Sequence, residues 1–262
     1  MTKRTNSQLC LLGGLLILMI LCNVIVGGKL LSVNNLLTIL SHAVFPVLAS
    51  YGLMFIFSGG LIDLSVGANI LLSANVGALL GEQLGLGYPG LVIGAVLCAV
   101  LAEQLCVQCS ISLHIPAWIS GLGSALIVEA ILAQWSTVAA SRSEKLPGVR
   151  AIRALGQMPG MLILLIIAFV AAYIIFNRTT LGINLQAMGG NSQVAQVMGI
   201  KAKKTLIGAT VVGGIFVGLA AVNHISFAGK LDCSSGLNSL NIIFKSLAAT
   251  LLADSIQNIV TK

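Results

Sequence analysis

Apolar runs and the polar breaks between them order this chain. Stretches of about 20 residues, enough to cross a roughly 30 Å hydrocarbon core as helix, occur at residues 8–26, 36–57, 90–108, 117–135, 160–177 and 205–223. Each holds at most one ionisable acid (Glu103 in one, Glu129 in another). A further apolar stretch, 237–260, carries Lys245 and Asp254 and is the least regular. Between Phe57 and Leu80 the pattern changes. Ser58-Gly59-Gly60 interrupts it, Asp63 follows, and the apolar stretch 67–80 is only 14 residues long. At 1.5 Å per residue that is about 21 Å, short of the bilayer core. The break therefore belongs at membrane depth, where irregular backbone is tolerated only if buried in protein or lining a cavity. The pattern predicts an all-α, polytopic transmembrane helix bundle of about eight spans, with a broken helix near Asp63. Pro89, Pro116 and Pro159 stand at the starts of spans, where a missing N–H costs little.

Composition sharpens this. The chain of 262 residues is 57% hydrophobic and 8% charged, against about 25% charged in an average soluble domain. So few charges cannot cover a soluble surface, and lipid must be the solvent for much of it. The 29 glycines suit membrane helices, which approach closely through small residues. Of the six cysteines, Cys10, Cys22, Cys98, Cys106 and Cys109 sit in apolar runs and form no disulfide framework. Cys106 and Cys109, with Glu103 and His114 nearby, are read as packing residues in place of metal ligands. His42, His114 and His224 share no ligand spacing.

The net charge of +7 records orientation, with no nucleic-acid partner implied. Lys3 and Arg4 precede the first run, which lacks a small-x-small cleavage site, so it is expected to be retained with the N-terminus in the cytoplasm. With eight passes, the loop 178–204 then falls inside. Its Arg178, Lys201, Lys203 and Lys204 stand without an acid. The loop 136–158 falls outside, although Arg142, Lys145, Arg150 and Arg153 against Glu144 run counter to the positive-inside rule. No repeat or linker divides the chain, so residues 1–262 are expected to form one transmembrane domain.

Within the loop 178–204, Gly189-Gly190 is a break and Asn191 or Ser192 can cap a new helix. Val194, Ala195, Val197 and Met198 give it an apolar face, and Gly199 stops it. The segment Leu181-Gly182 through Ala187, Gly189-Gly190-Asn191, Ala195 and Gly199-Ile200 resembles the ATPase-coupling loop of ribose-type sugar permeases of bacterial ABC importers, with Gln196 where a second Ala is usual. The run Gly59-Gly60-Leu61-Ile62-Asp63-Leu64-Ser65-Val66-Gly67 resembles that family's GGIDLSVG motif, and Ile115-Pro116-Ala117-Trp118-Ile119-Ser120-Gly121-Leu122-Gly123 its IPSFI-x-TLG motif, with Trp for Phe and Gly for Thr. The similarity extends from Asn35 to about Ala221; at Gly236 to Lys245 the match is poor, and the chain ends earlier than the family's length leads one to expect, as in a truncated or divergent subunit.

The resemblance implies a permease subunit that imports a ribose-like sugar across the bacterial cytoplasmic (inner) membrane. It implies an ABC ATPase beneath it, a second permease subunit, identical or not, and a periplasmic or lipid-anchored sugar-binding protein. Gly189, Gly190, Asn191, Ala195, Gly199 and Ile200 would form the ATPase-coupling segment. No G-x-x-x-x-G-K-S/T phosphate loop occurs in the chain, so ATP hydrolysis is expected on a separate subunit, this chain being no enzyme and needing no cofactor or metal. Asp63 reads first as a cap accepting the N–H of Ser65 or Val66. Asp63, Ser65, Asn69, Asn75 and Trp118 are candidates for the substrate path, since a sugar needs hydroxyl and amide partners and an aromatic face. Two alternatives stay open: an ion-coupled secondary transporter using Asp63, Glu103 and Glu129, or an ABC permease for a non-sugar solute.

Overall fold

A computed structural model describes residues 13–14, 17–25, 27–141, 149, 152–231 and 236–261, without the side chains of 138–141 and 254–261. Among the described residues the chain is helical. After a helical stretch at 17–25 come α1 (Val33–Ser58), α2 (Val66–Ala78), a π turn (Leu79–Gln83), α3 (Gly87–Leu113) and α4 (Ala117–Ser141). A 3-10 turn (Ala154–Gly156) leads to α5 (Gly160–Arg178), α6 (Thr180–Gly190), α7 (Ser192–Val197), α8 (Ala202–Ala228) and α9 (Ser239–Thr261).

The all-α bundle is as expected; the count of about eight spans is not confirmed among the described residues. Five described helices are long and apolar enough to cross a membrane: α1, α3, α4 up to Thr137, α5 and α8. Helix α2 is the short one, 13 residues, or about 20 Å at 1.5 Å each. Its length follows from the break at Gly59–Ser65. In α9 the described side chains end at Ala253, and Ser239–Ala253 is a shorter apolar helix. Of the N-terminal run 8–26, residues 13–14 and 17–25 are described, and they are helical.

The core is built by α1, α2, α3 and α8. Helix α8 is the central element, with Val217, Ala220, Ala221, Val222 and Ile225 fully buried. Small residues let it approach its neighbours. A Cβ on Gly214 or Gly218 would stand 2.8 or 2.6 Å from the Cα of Val100 or Val96 in α3. Contact this close substitutes for the hydrophobic drive that lipid does not supply. Phe55 and Phe216 stack between α1 and α8 with ring centroids 5.6 Å apart.

Two connections tie distant parts of the chain together. Arg153 donates from Nε to the Ser226 carbonyl (3.1 Å) and from Nη2 to the Phe227 carbonyl (2.6 Å). A guanidinium on the last carbonyls of α8 matches the negative end of the helix. This basic residue of the loop 136–158 therefore has a structural task that the charge count alone does not reveal. Arg142, Glu144, Lys145 and Arg150 lie outside the described residues. The second connection is the start of α9. Glu129 accepts the backbone N–H groups of Leu237 (2.6 Å) and Ser239 (2.8 Å). Glu129 is in the middle of α4, so α9 begins against the middle of that helix, inside the bundle.

Candidate functional site

Two segments carry the features of interest. The first is α7 with its flanks. Helix α6 runs through Gly189 and Gly190 and stops at Asn191, whose extended backbone ends it. The Asn191 Oδ1 accepts the N–H groups of Gln193 and Val194, both at 3.1 Å. That is the N-cap geometry, and it starts α7. Gly199 follows α7 with φ +91°. Its N–H donates to the Gln196 carbonyl (2.9 Å) and the Ile200 N–H to the Ala195 carbonyl (3.1 Å). This pair of bonds is the Schellman closure, which needs a left-handed residue at Gly199. Six residues are too few to hold a helix in water without such ends.

Only Ala195 of α7 is buried against the bundle. Val197 and Met198 are 89% and 79% exposed, and Val194 is half exposed. The apolar face expected from the sequence thus divides: Ala195 anchors the helix while three larger side chains point away. Gly189 lies against the Ser58 carbonyl, where a Cβ would stand 3.1 Å away, whereas Gly190 is open. Ile200 is half-buried. The segment is fixed at one end of the bundle, beside the end of α1.

The second segment is the break before α2. Asp63 Oδ1 accepts the Ser65 N–H at 2.7 Å, the bond expected of it; Ser65 is itself the N-cap residue of α2 and makes no side-chain cap bond. Asn69 Nδ2 donates to Ser65 Oγ (3.1 Å) and to Glu103 Oε1 of α3 (2.9 Å). Gly121 of α4 closes the other side, since a Cβ there would stand 2.6 Å from Asp63 Oδ1. Ser120 and Ser124, flanking it, hydrogen-bond to the backbone and thiol of Cys106. Asp63, Ser65, Asn69 and Glu103 are all 0–1% exposed. This is a sealed polar knot tying α2, α3 and α4 together.

Of the substrate-path candidates, the structure brings Asp63, Ser65 and Asn69 together. Asn75 is also buried, nearly two turns further along α2, with its Nδ2 donating to the Leu71 carbonyl. Trp118 is half exposed at the start of α4. None of the five lines the cavities described among α1, α2, α3, α8 and α9. Glu103 and Glu129 were legible as acids in spans, but their partners, 34 and more than 100 residues distant, were not.

Comparison with known proteins agrees with this architecture. Residues 35–259 match the family described as the branched-chain amino acid transport system / permease component. The chain belongs to that family. With its apolar helices, this makes it a multipass membrane protein. It is 42% identical over 91 residues to the nucleoside ABC transporter permease protein NupB of Lactococcus lactis, covering 35% of this chain and 25% of that one. It is 29% identical over 227 residues to the galactose/methyl galactoside import permease protein MglC of Treponema pallidum, covering 74% and 42%. It is 27% identical over 249 residues to the autoinducer 2 import system permease protein LsrC of Salmonella typhimurium, covering 90% and 68%. The chain thus spans less than half the length of the first two relatives. No solved structure matches it.

Proposed function

We propose that this chain is the membrane-spanning permease subunit of an ATP-binding-cassette importer for a sugar-bearing solute, in the bacterial cytoplasmic membrane with its N-terminus inside. The observation that carries this is α7. It is a short helix closed at both ends, held to the bundle by Ala195, with Val194, Val197 and Met198 free. Apolar side chains at these positions on a helix end-capped between α6 and α8 have a partner of complementary shape as their natural cover. In this reading the cover is a groove on the ATPase, and Gly189, Gly190, Asn191, Ala195, Gly199 and Ile200 set the helix in place. The loop 178–204 is cytoplasmic, and residues 1–262 act as one permease domain.

The mechanism is mechanical. When the ATPases close on ATP, they displace α7. Its capped ends give it little freedom to yield, so the motion passes to α6 and α8 and rocks them as rigid bodies. ATP is consumed on the partner subunit. A second permease subunit and an external solute-binding protein complete the importer. The solute class is drawn from the relatives, whose names specify a nucleoside, galactose or methyl galactoside, and autoinducer 2. Nucleosides and galactosides both carry a sugar. The second reading, an ABC permease for a non-sugar solute, is favoured by the family's own description, which names branched-chain amino acids.

The test is co-purification with the host's ABC ATPase in mild detergent, with residues 193–198 native or scrambled. Association that the scramble abolishes supports the reading. A well-folded chain that binds no ATPase in either form removes it.

A further inference from the structure

A cavity of about 240 Å³ lies between α1, α8 and α9. Its walls mix polar and aromatic side chains. His42 and Phe45 come from α1, Asn223 and His224 from α8, Asn241 and Lys245 from α9. Phe45 and His224 stack with centroids 4.2 Å apart, which leaves flat aromatic edges beside amide and ammonium donors. By contrast, the groove between α2 and α3 is lined by Leu72, Leu97 and Leu101 among other apolar side chains, a surface that suits acyl chains.

Lys245 decides what the polar cavity faces. Ser50 Oγ of α1 donates to the Ser246 carbonyl of α9 at 3.2 Å, so Lys245 is level with Ser50. Ser50 is the eighteenth of the 26 residues of α1. At 1.5 Å per residue, Lys245 lies about 12 Å from one end of that helix and about 26 Å from the other. Helix α1 is about 39 Å long against a hydrocarbon core of roughly 30 Å, so Lys245 falls within the apolar span, nearer its Ser58 end. Lys245 is nevertheless exposed on the chain's surface, and among the described residues it makes no ion pair. An unpaired ammonium against lipid at that depth is strongly disfavoured, and such residues face a bundle interior or a water-filled cavity. Asn241, one turn earlier on the same face, and His42 are exposed beside it.

We propose that this cavity is the water-filled mouth of the solute path, and that Lys245 biases it towards neutral or anionic solutes and against cationic ones. The proposal rests on the permease reading for the word solute, but the aqueous cavity and its charge do not. The cavity is smaller than the roughly 300–1,000 Å³ of drug-sized pockets, which suits a monosaccharide-sized group. The edges of the stacked Phe45 and His224 rings would border such a group, while Asn241 and Lys245 would meet its hydroxyls. The sealed knot at Asp63 then serves to hold α2, α3 and α4 together, away from the path.

The test is thiol accessibility in the full-length chain in proteoliposomes. Asn241→Cys and His42→Cys are treated with membrane-impermeant anionic and cationic methanethiosulfonates, and labelling above the parent chain is measured. Leu97→Cys, in the apolar groove, is the lipid-facing control. The expected result is labelling of both cavity positions and not of Leu97→Cys. Relative to each reagent's rate with a free thiol in solution, the anionic reagent should react at least about tenfold faster, as a single-sign field in a low-dielectric cleft dictates. Lys245→Gln should abolish that ratio. Absence of labelling at both cavity positions, in variants that remain monodisperse, overturns the aqueous cavity. Equal rates for the two reagents after that normalisation overturn the role of Lys245. ATPase co-purification of the same variants separates the readings: labelling without ATPase association leaves this cavity standing while the importer reading falls.

Discussion

Helices α2 and α9 both begin inside the bundle, and a carboxylate caps each beginning, yet the two caps are built differently. At α2 the cap is local. Asp63 reaches the N–H of Ser65, two residues ahead. At α9 the cap comes from another helix. Glu129 of α4 takes the N–H groups of Leu237 and Ser239 from more than 100 residues away. A local cap stabilises one helix start. A long-range cap does that and also fixes where the helix lies. The two starts meet at Gly67, where a Cβ would collide with the Ser239 carbonyl. A membrane bundle can thus keep helix ends at depth, provided that each free N–H finds an acceptor within the protein.

The sharpest way to break this arrangement is Gly67→Val. The backbone of Ser239 cannot give way as a flexible side chain could, so α2 and α9 must separate. We expect a loss of about 3 kcal/mol or more, seen as a lowered midpoint of thermal unfolding in detergent. A midpoint within a degree or two of the parent would show that the two starts do not pack as described.

Glu129→Ala comes next. It strands two N–H groups and should cost about 2–3 kcal/mol, while Glu129→Gln, which keeps one acceptor oxygen, should cost about half of that. Proteolysis near residue 236 should rise in parallel, because α9 loses its tether. Asp63→Ala should cost about 1 kcal/mol, the usual worth of an N-cap, and Asp63→Asn less, since its oxygen still accepts. If Asp63→Ala proves as costly as Glu129→Ala, a tether across the fold adds nothing to a local cap and the comparison fails.

The smallest effect on unfolding is expected for Asn191→Ala. It removes the cap of α7, worth about 1 kcal/mol locally, in a helix that contributes little to the core. The global midpoint should hardly move. ATPase co-purification, however, should fall several-fold, because α7 loses the order that makes it a fixed docking element. Unchanged association would mean that the cap is idle.

What could be read from the residues in order was whatever depends on near neighbours. The long apolar runs predict α1, α3, α4, α5 and α8 because length and composition alone let a helix cross lipid. Asp63 before Ser65, and Asn191 and Gly199 around α7, announce their caps because donor and acceptor are a few residues apart. Tertiary structure alone decided the rest. The closure of Asp63, Ser65 and Asn69, the path candidates, against Glu103 and Gly121 forms a buried junction of three helices. Nothing along the chain pairs Glu129 with Ser239, or sets Lys245 level with Ser50. Those contacts depend on how rigid helices pack side by side, and periodicity along one helix carries no record of which helix lies opposite it.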